Sequence, residues 1–175
     1  MGSKKKISTH DSNEIELNLI VVDKENLLRY LKQQGKEEVA ETKLTYFRRE
    51  DDKSFYVRIE EIQNQQGEKS KTLTAKGNFK SDNKINRRTE TSLPIYGNIQ
   101  PYIDFLLLTG LEQRDTKEKV RHSFSIGELV VTLDEWSDDE LGNRLEIEGK
   151  DGEQVEEFAT KIIQFCQRPE LPTLP

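Results

Sequence analysis

From Glu14 to Leu19 polar and apolar residues alternate: Glu14, Glu16 and Asn18 fall on one side, Ile15, Leu17 and Leu19 on the other. That two-residue period predicts a strand over residues 14–22. Asp23 is placed to cap a helix over 24–34, with Leu27, Leu28 and Leu31 on its apolar stripe and Gly35 as its stop. Strands are predicted over 42–49, 54–62, 71–77 and 87–93, with a polar hairpin loop at 63–70 and a polar connection at 78–86. Pro94 ends the last of these, and 99–108 reads as a largely buried helix. Residues 117–126 and 129–136 form a hairpin about Gly127–Glu128, followed by a strand over 144–148 and an amphipathic helix over 152–166. About eight strands and three helices without a βαβ rhythm predict an α+β fold with a mainly antiparallel sheet.

The charges share faces. Glu14 with Glu16, Arg58 with Glu60, Thr74 with Lys76, Arg88 with Glu90, Lys119 with Arg121, Thr132 with Asp134, and Glu146 with Glu148 each stand two apart, mostly with an apolar residue between them. One reading is a sheet with one wet face. The signs, however, sort along the chain, with acidic pairs on the first and last strands and basic residues on the middle ones. Closing about eight strands into a barrel makes an interior able to hold side chains or one small ligand. With the charged faces turned inward, Lys and Arg would neutralise a polyphosphate and carboxylates would hold Mg²⁺ or Mn²⁺.

Composition narrows the alternatives. The chain has 175 residues, 34% of them charged, with 27 Lys+Arg against 33 Asp+Glu and a net charge of −6. An acidic chain disfavours binding through nucleic-acid phosphates, so no nucleic-acid partner is expected. No stretch approaches the apolar length of a membrane span. Lys4, Lys5 and Lys6 precede no apolar secretory core, and the single Cys166 offers no disulfide framework, so a cytoplasmic location is expected. His10 and His122 are too isolated for a His-rich metal site. Residues 1–13 read as a tail, 14–166 as one domain and 167–175 as a proline-rich tail.

The motifs then carry a resemblance. Glu14-Ile15-Glu16-Leu17-Asn18, Val57-Arg58-Ile59-Glu60, Leu73-Thr74-Ala75-Lys76-Gly77, Arg88-Thr89-Glu90, Lys119-Val120-Arg121 and the ending Leu133-Asp134, Leu141-Gly142, Leu145-Glu146-Ile147-Glu148 follow one another in order. In this the chain resembles the CYTH domain family, the triphosphate tunnel metalloenzymes that include thiamine triphosphatases, inorganic triphosphatases and class IV adenylate cyclases. The resemblance implies a closed antiparallel barrel, or tunnel, with a charged interior. It implies Glu14, Glu16, Asp134, Glu146 and Glu148 as ligands for Mg²⁺ or Mn²⁺. Arg58, Lys76, Arg88, Lys119 and Arg121 would grip the triphosphate, and Glu14, Glu16, Lys76 and Arg121 form the catalytic set. Glu60 and Glu90 read as ion-pair partners in the wall.

The implied activity is metal-dependent hydrolysis of a small triphosphate, such as tripolyphosphate or thiamine triphosphate, by water attack on the terminal phosphorus. Cyclic AMP formation from ATP and non-catalytic polyphosphate or nucleotide binding remain alternatives. Asn18 stands where the family signature has Lys, and Glu60 where it has Arg. Arg48 is a candidate for restoring the missing positive charge. A monomer or a homodimer is compatible with the sequence.

Overall fold

The computed structural model describes residues 14–51, 55–82, 85–138 and 142–168; the tail 1–13 and the residues after 168 lie outside it. The elements are β1 (Glu14–Val21), α1 (Lys24–Gln34), β2 (Glu37–Arg48), β3 (Tyr56–Asn64), β4 (Lys69–Asp82) and β5 (Ile85–Pro94). They continue with α2 (Gln100–Leu108), β6 (Glu112–Ile126), β7 (Leu129–Trp136), β8 (Asn143–Gly149), α3 (Gly152–Ile162) and β9 (Cys166–Gln167). The fold is α+β, with nine antiparallel strands in the order β5-β4-β3-β2-β6-β7-β8-β1-β9. β1 also pairs with β5, Glu14 opposite Arg88 and Glu16 opposite Asn86.

Where the elements depart from the sequence reading, pairing overrides composition. The polar connection predicted at 78–86 is mostly strand, because β4 and β5 keep pairing past a register shift after Gly77, as far as Asp82 opposite Ile85. Residues 83 and 84 lie outside the described residues. β6 starts at Glu112 rather than 117, since Glu112 finds Arg48 on β2 beyond a bulge at Thr45/Phe47. The last helix stops at Ile162; a 3-10 turn at Ile163–Phe165 turns the chain, and Cys166 then pairs with Val21 as a short ninth strand.

Gly35 ends α1 as expected, but for a different reason. Its backbone is extended (φ −162°), so no left-handed turn requires glycine. A Cβ there would lie 2.6 Å from the Ser125 carbonyl oxygen, and that close approach to β6 is what excludes a side chain.

The apolar faces of the strands look outward, toward the helices. α1 and α3 cover Leu17, Leu19, Phe124, Val131, Leu133, Leu145 and Ile147 with Leu27, Leu31, Val155, Phe158 and Ile162. α2 covers a second cluster of Phe47, Val57 and Ile59 with Leu106. The alternation that puts these side chains under helices puts every intervening charge on the opposite face. That face lines the cavity.

Candidate metal and anion site

The cavity measures about 430 Å³ and receives side chains from eight strands. Glu16 and Asn18 come from β1, Tyr46 from β2, Tyr56, Arg58 and Glu60 from β3, Lys76 from β4 and Glu90 from β5. Lys119 and Arg121 come from β6, Asp134 and Trp136 from β7, and Arg144, Glu146 and Glu148 from β8. Three aromatics and Asn18 apart, every lining residue is ionisable, which is a wall for a multiply charged ligand rather than an apolar one.

Three carboxylates converge on one side. Glu16, Glu146 and Glu148 each place an oxygen within 4.8 Å of the other two. Burial pushes the Glu146 carboxyl up, but its hydrogen bond with Glu16 and the charges of Arg121 and Lys76 outweigh burial and hold it below its ordinary range. The donors are all oxygen, the set that suits Mg²⁺ or Mn²⁺ and not a soft metal.

Cations occupy the rest of the wall, most with a carboxylate partner. Arg121 donates to Asp134 through Nε at 2.7 Å and Nη2 at 2.8 Å, and its Nη2 lies 3.7 Å from Glu146. Lys119 also donates to Asp134, and its ammonium sits 4.8 Å from the centroid of the Trp136 ring. Lys76 pairs with Glu90, and Arg58 Nη2 lies 3.6 Å from Glu60. Burial, with the Arg121 charge beside it, pulls Lys119 down to about 8 despite Asp134. Burial alone would raise Asp134, yet Arg121 and Lys119 hold it below the usual carboxylate range. The Nε of Arg58 is buried and has no hydrogen-bond partner.

Of the expected site residues, Glu16, Arg58, Lys76, Lys119, Arg121, Asp134, Glu146 and Glu148 all line this one cavity. Their functional roles are taken up below. Glu14 and Arg88 face each other across the β1–β5 pairing at the backbone, and their side chains lie outside the described residues. Asp134 stands apart from the convergent carboxylates because both of its oxygens are engaged by Arg121 and Lys119. Glu60 and Glu90 are ion-pair partners in the wall.

Sequence reading passed over Arg144, Tyr56 and Trp136. Parity could have found Arg144, two residues before Glu146, and Trp136, two after Asp134. Arg48, the candidate for restoring charge, is not in the lining; it sits past the β2 bulge opposite Glu112. Arg144 is in the lining, one inward step from Asn18 on the neighbouring strand: Asn18 faces Glu146 and Ile20 faces Arg144. His122 points to the other side of β6, where its ring nitrogens meet Glu37 at 2.8 Å and Glu135 at 3.0 Å.

The chain matches no protein-family model and no curated protein sequence. Its fold does match solved structures. The PH1819 protein of Pyrococcus horikoshii OT3 superimposes with a TM-score of 0.70 at 22% identity, covering 86% of each chain. The putative adenylyl cyclase HpAC1 from Hippeastrum, reported with a dominant triphosphatase activity, gives 0.68 at 14% identity over 91% of this chain and 92% of that one. A chain of the Schizosaccharomyces pombe Mediator head module gives 0.67 at 11% identity over 88% and 96%.

The chain therefore has the triphosphate-tunnel fold. One fold shared by a putative cyclase and a Mediator component does not choose a function, which has to be argued from the site. Among the described residues no helix is long and apolar enough to cross a membrane.

Proposed function

We propose that this chain is a divalent-metal-dependent triphosphatase acting on tripolyphosphate or a compound with a small group attached to a triphosphate. One observation carries the reading: a single cavity sets the Glu16, Glu146 and Glu148 oxygens, within 4.8 Å of one another, against Arg58, Lys76, Lys119, Arg121 and Arg144. The pairing of β1 with β5 supports a tunnel closed around that cavity. The ionisable majority of the wall favours a compact polyanion over an apolar ligand.

Glu16, Glu146 and Glu148 would hold Mg²⁺ or Mn²⁺, with Glu14 as a further candidate ligand. The ion would supply Lewis-acid polarisation of phosphate oxygens and a water of lowered pKa. The chain's own residues do the rest. Arg58, Lys76, Lys119 and Arg121 neutralise the charge that grows on the phosphoryl groups. Arg88 joins this set by its place on β5. Asp134 holds Lys119 and Arg121 at a fixed spacing, so little reorganisation is needed when the anion arrives.

Phosphate release from tripolyphosphate, thiamine triphosphate and ATP, each with Mg²⁺ or Mn²⁺, tests the proposal. Tripolyphosphate should be hydrolysed best, and only with metal. Cyclic AMP from ATP would support the cyclase instead. Tight binding of tripolyphosphate with no release from any substrate would support a binding module.

Two variants probe the grip. Arg144→Met removes a charge-assisted phosphate contact and should weaken tripolyphosphate binding about 10- to 100-fold by calorimetry. Arg48→Met should leave it unchanged. The Lys119 ammonium must be charged to hold phosphate, and in the free protein it loses its proton at about pH 8. kcat/KM should therefore fall as pH rises through about 8, and in Lys119→Arg that alkaline limb should disappear.

A further inference from the structure

The helix read from sequence as largely buried is not. α2 (QPYIDFLLL) carries one charge, Asp104, and buries only Leu106 completely. Tyr102 and Ile103 pack partly against the core beneath it, while Phe105 is 64% exposed, Leu107 46% and Leu108 87%. Apart from the strip of Gln100 and Asp104, which hydrogen-bond to each other at 2.7 Å, the helix is apolar, and apolar helix faces are normally covered. Beside Phe105 lies a hollow of about 390 Å³, also lined by Arg49, Phe55, Leu106, Thr109 and Leu111. Tyr96 and Leu93, shortly before α2 in the chain, are exposed as well.

We infer that a second copy of this chain docks on α2 through a two-fold contact. The face carries both halves of such a contact: Leu108 projects from the helix, and the hollow beside Phe105 can receive a side chain of that size. Among the described residues it carries opposite charges, Arg49 at the hollow and Asp104 on the helix, so a two-fold axis can set each against the other's counterpart. The exposed apolar side chains offer on the order of 600 Å² per copy, at the upper limit for an uncovered patch on a monomer. With a polar rim this reaches the roughly 800 Å² per partner of a stable interface. The inference does not depend on the function proposed for the cavity.

Sedimentation equilibrium of the full chain tests it. The unmodified chain should run at twice its 20.4 kDa mass, and Leu108→Asp at the mass of one chain with an unchanged far-UV spectrum. Arg49→Glu and Asp104→Arg should each weaken association at least about tenfold. Combining the two reverses the charges on both sides and should restore the dimer, a result that folding defects cannot imitate. A chain that stays single overturns the inference, and so does a dimer that survives Leu108→Asp. Protection of α2 from hydrogen exchange that appears only when another protein is added would show a different occupant and also overturn it.

Discussion

Glu146→Gln is expected to reduce metal-dependent tripolyphosphate hydrolysis at least about a hundredfold at only a modest cost in stability. Glu146 is half-buried, shares a hydrogen bond with Glu16, and has Asp134 as a like-charged neighbour. An amide keeps the shape and a hydrogen-bonding group but removes the charge that would hold a cation. Arg121 loses only a 3.7 Å neighbour and keeps its two short bonds to Asp134. The folded protein holds the Glu146 carboxyl below its ordinary range through Glu16, Arg121 and Lys76, so removing its charge should lower the melting temperature modestly. Activity with calorimetric Mn²⁺ binding, beside a melting curve, separates the outcomes. Unchanged hydrolysis would defeat the carboxylate assignment, and a large loss of stability would make Glu146 a structural residue.

Asp134→Asn should do the opposite, acting first on the fold. Asp134 is the common acceptor of Lys119 and Arg121, and its side chain is 9% exposed. Neutralising it leaves two cations facing each other in a cavity with their shared counter-charge gone. Breaking a buried pair in this way costs about 3–5 kcal/mol. At roughly 2–4 °C per kcal/mol for a chain of this size, the melting temperature should drop by about 6–20 °C.

The pH dependence has a definite sign. The folded Asp134 carboxyl is held below its ordinary 3.8, so its contribution is present above that value and lost as pH falls through the lowered one. Asp134→Asn should therefore remove part of the acid-induced loss of stability. Lys119→Met in the Asp134→Asn background should recover part of the melting temperature, because it removes one of the two stranded charges. If Asp134→Asn melted like the unmodified chain, the ion cluster would not be holding the wall together.

Much of this arrangement is legible from the alternation in the chain. Where polar residues alternate with Ile or Leu, as over residues 14–19 of β1 and 144–148 of β8, the strand, its two faces and the membership of the charged face all follow from the two-residue period. Parity put Glu16, Arg58, Lys76, Lys119, Arg121, Asp134, Glu146 and Glu148 on charged faces, but Arg144, Tyr56 and Trp136 were passed over. It failed where the decisive contact was distant in sequence. The polar stretch at 78–82 carries no strand signal of its own and is extended because β5 pairs with it. Cys166–Gln167 reads as the end of a helix and becomes strand only because the β1 edge is available. Arg144 looks like an ordinary solvent charge until β1 and β8 lie side by side.

The sequence by itself determined which side chains share a face, because a strand's geometry is local and repeats every two residues. It also determined that the charged faces hold both signs. Only the tertiary structure decided that the helices take the apolar face and leave the charges to the cavity, since that depends on how strands far apart in the chain pair. The same long-range packing left Phe105 and Leu108 in the open on a helix whose composition reads as core: whether an apolar face is covered depends on how many elements remain to cover it, and α2 has none above it among the described residues.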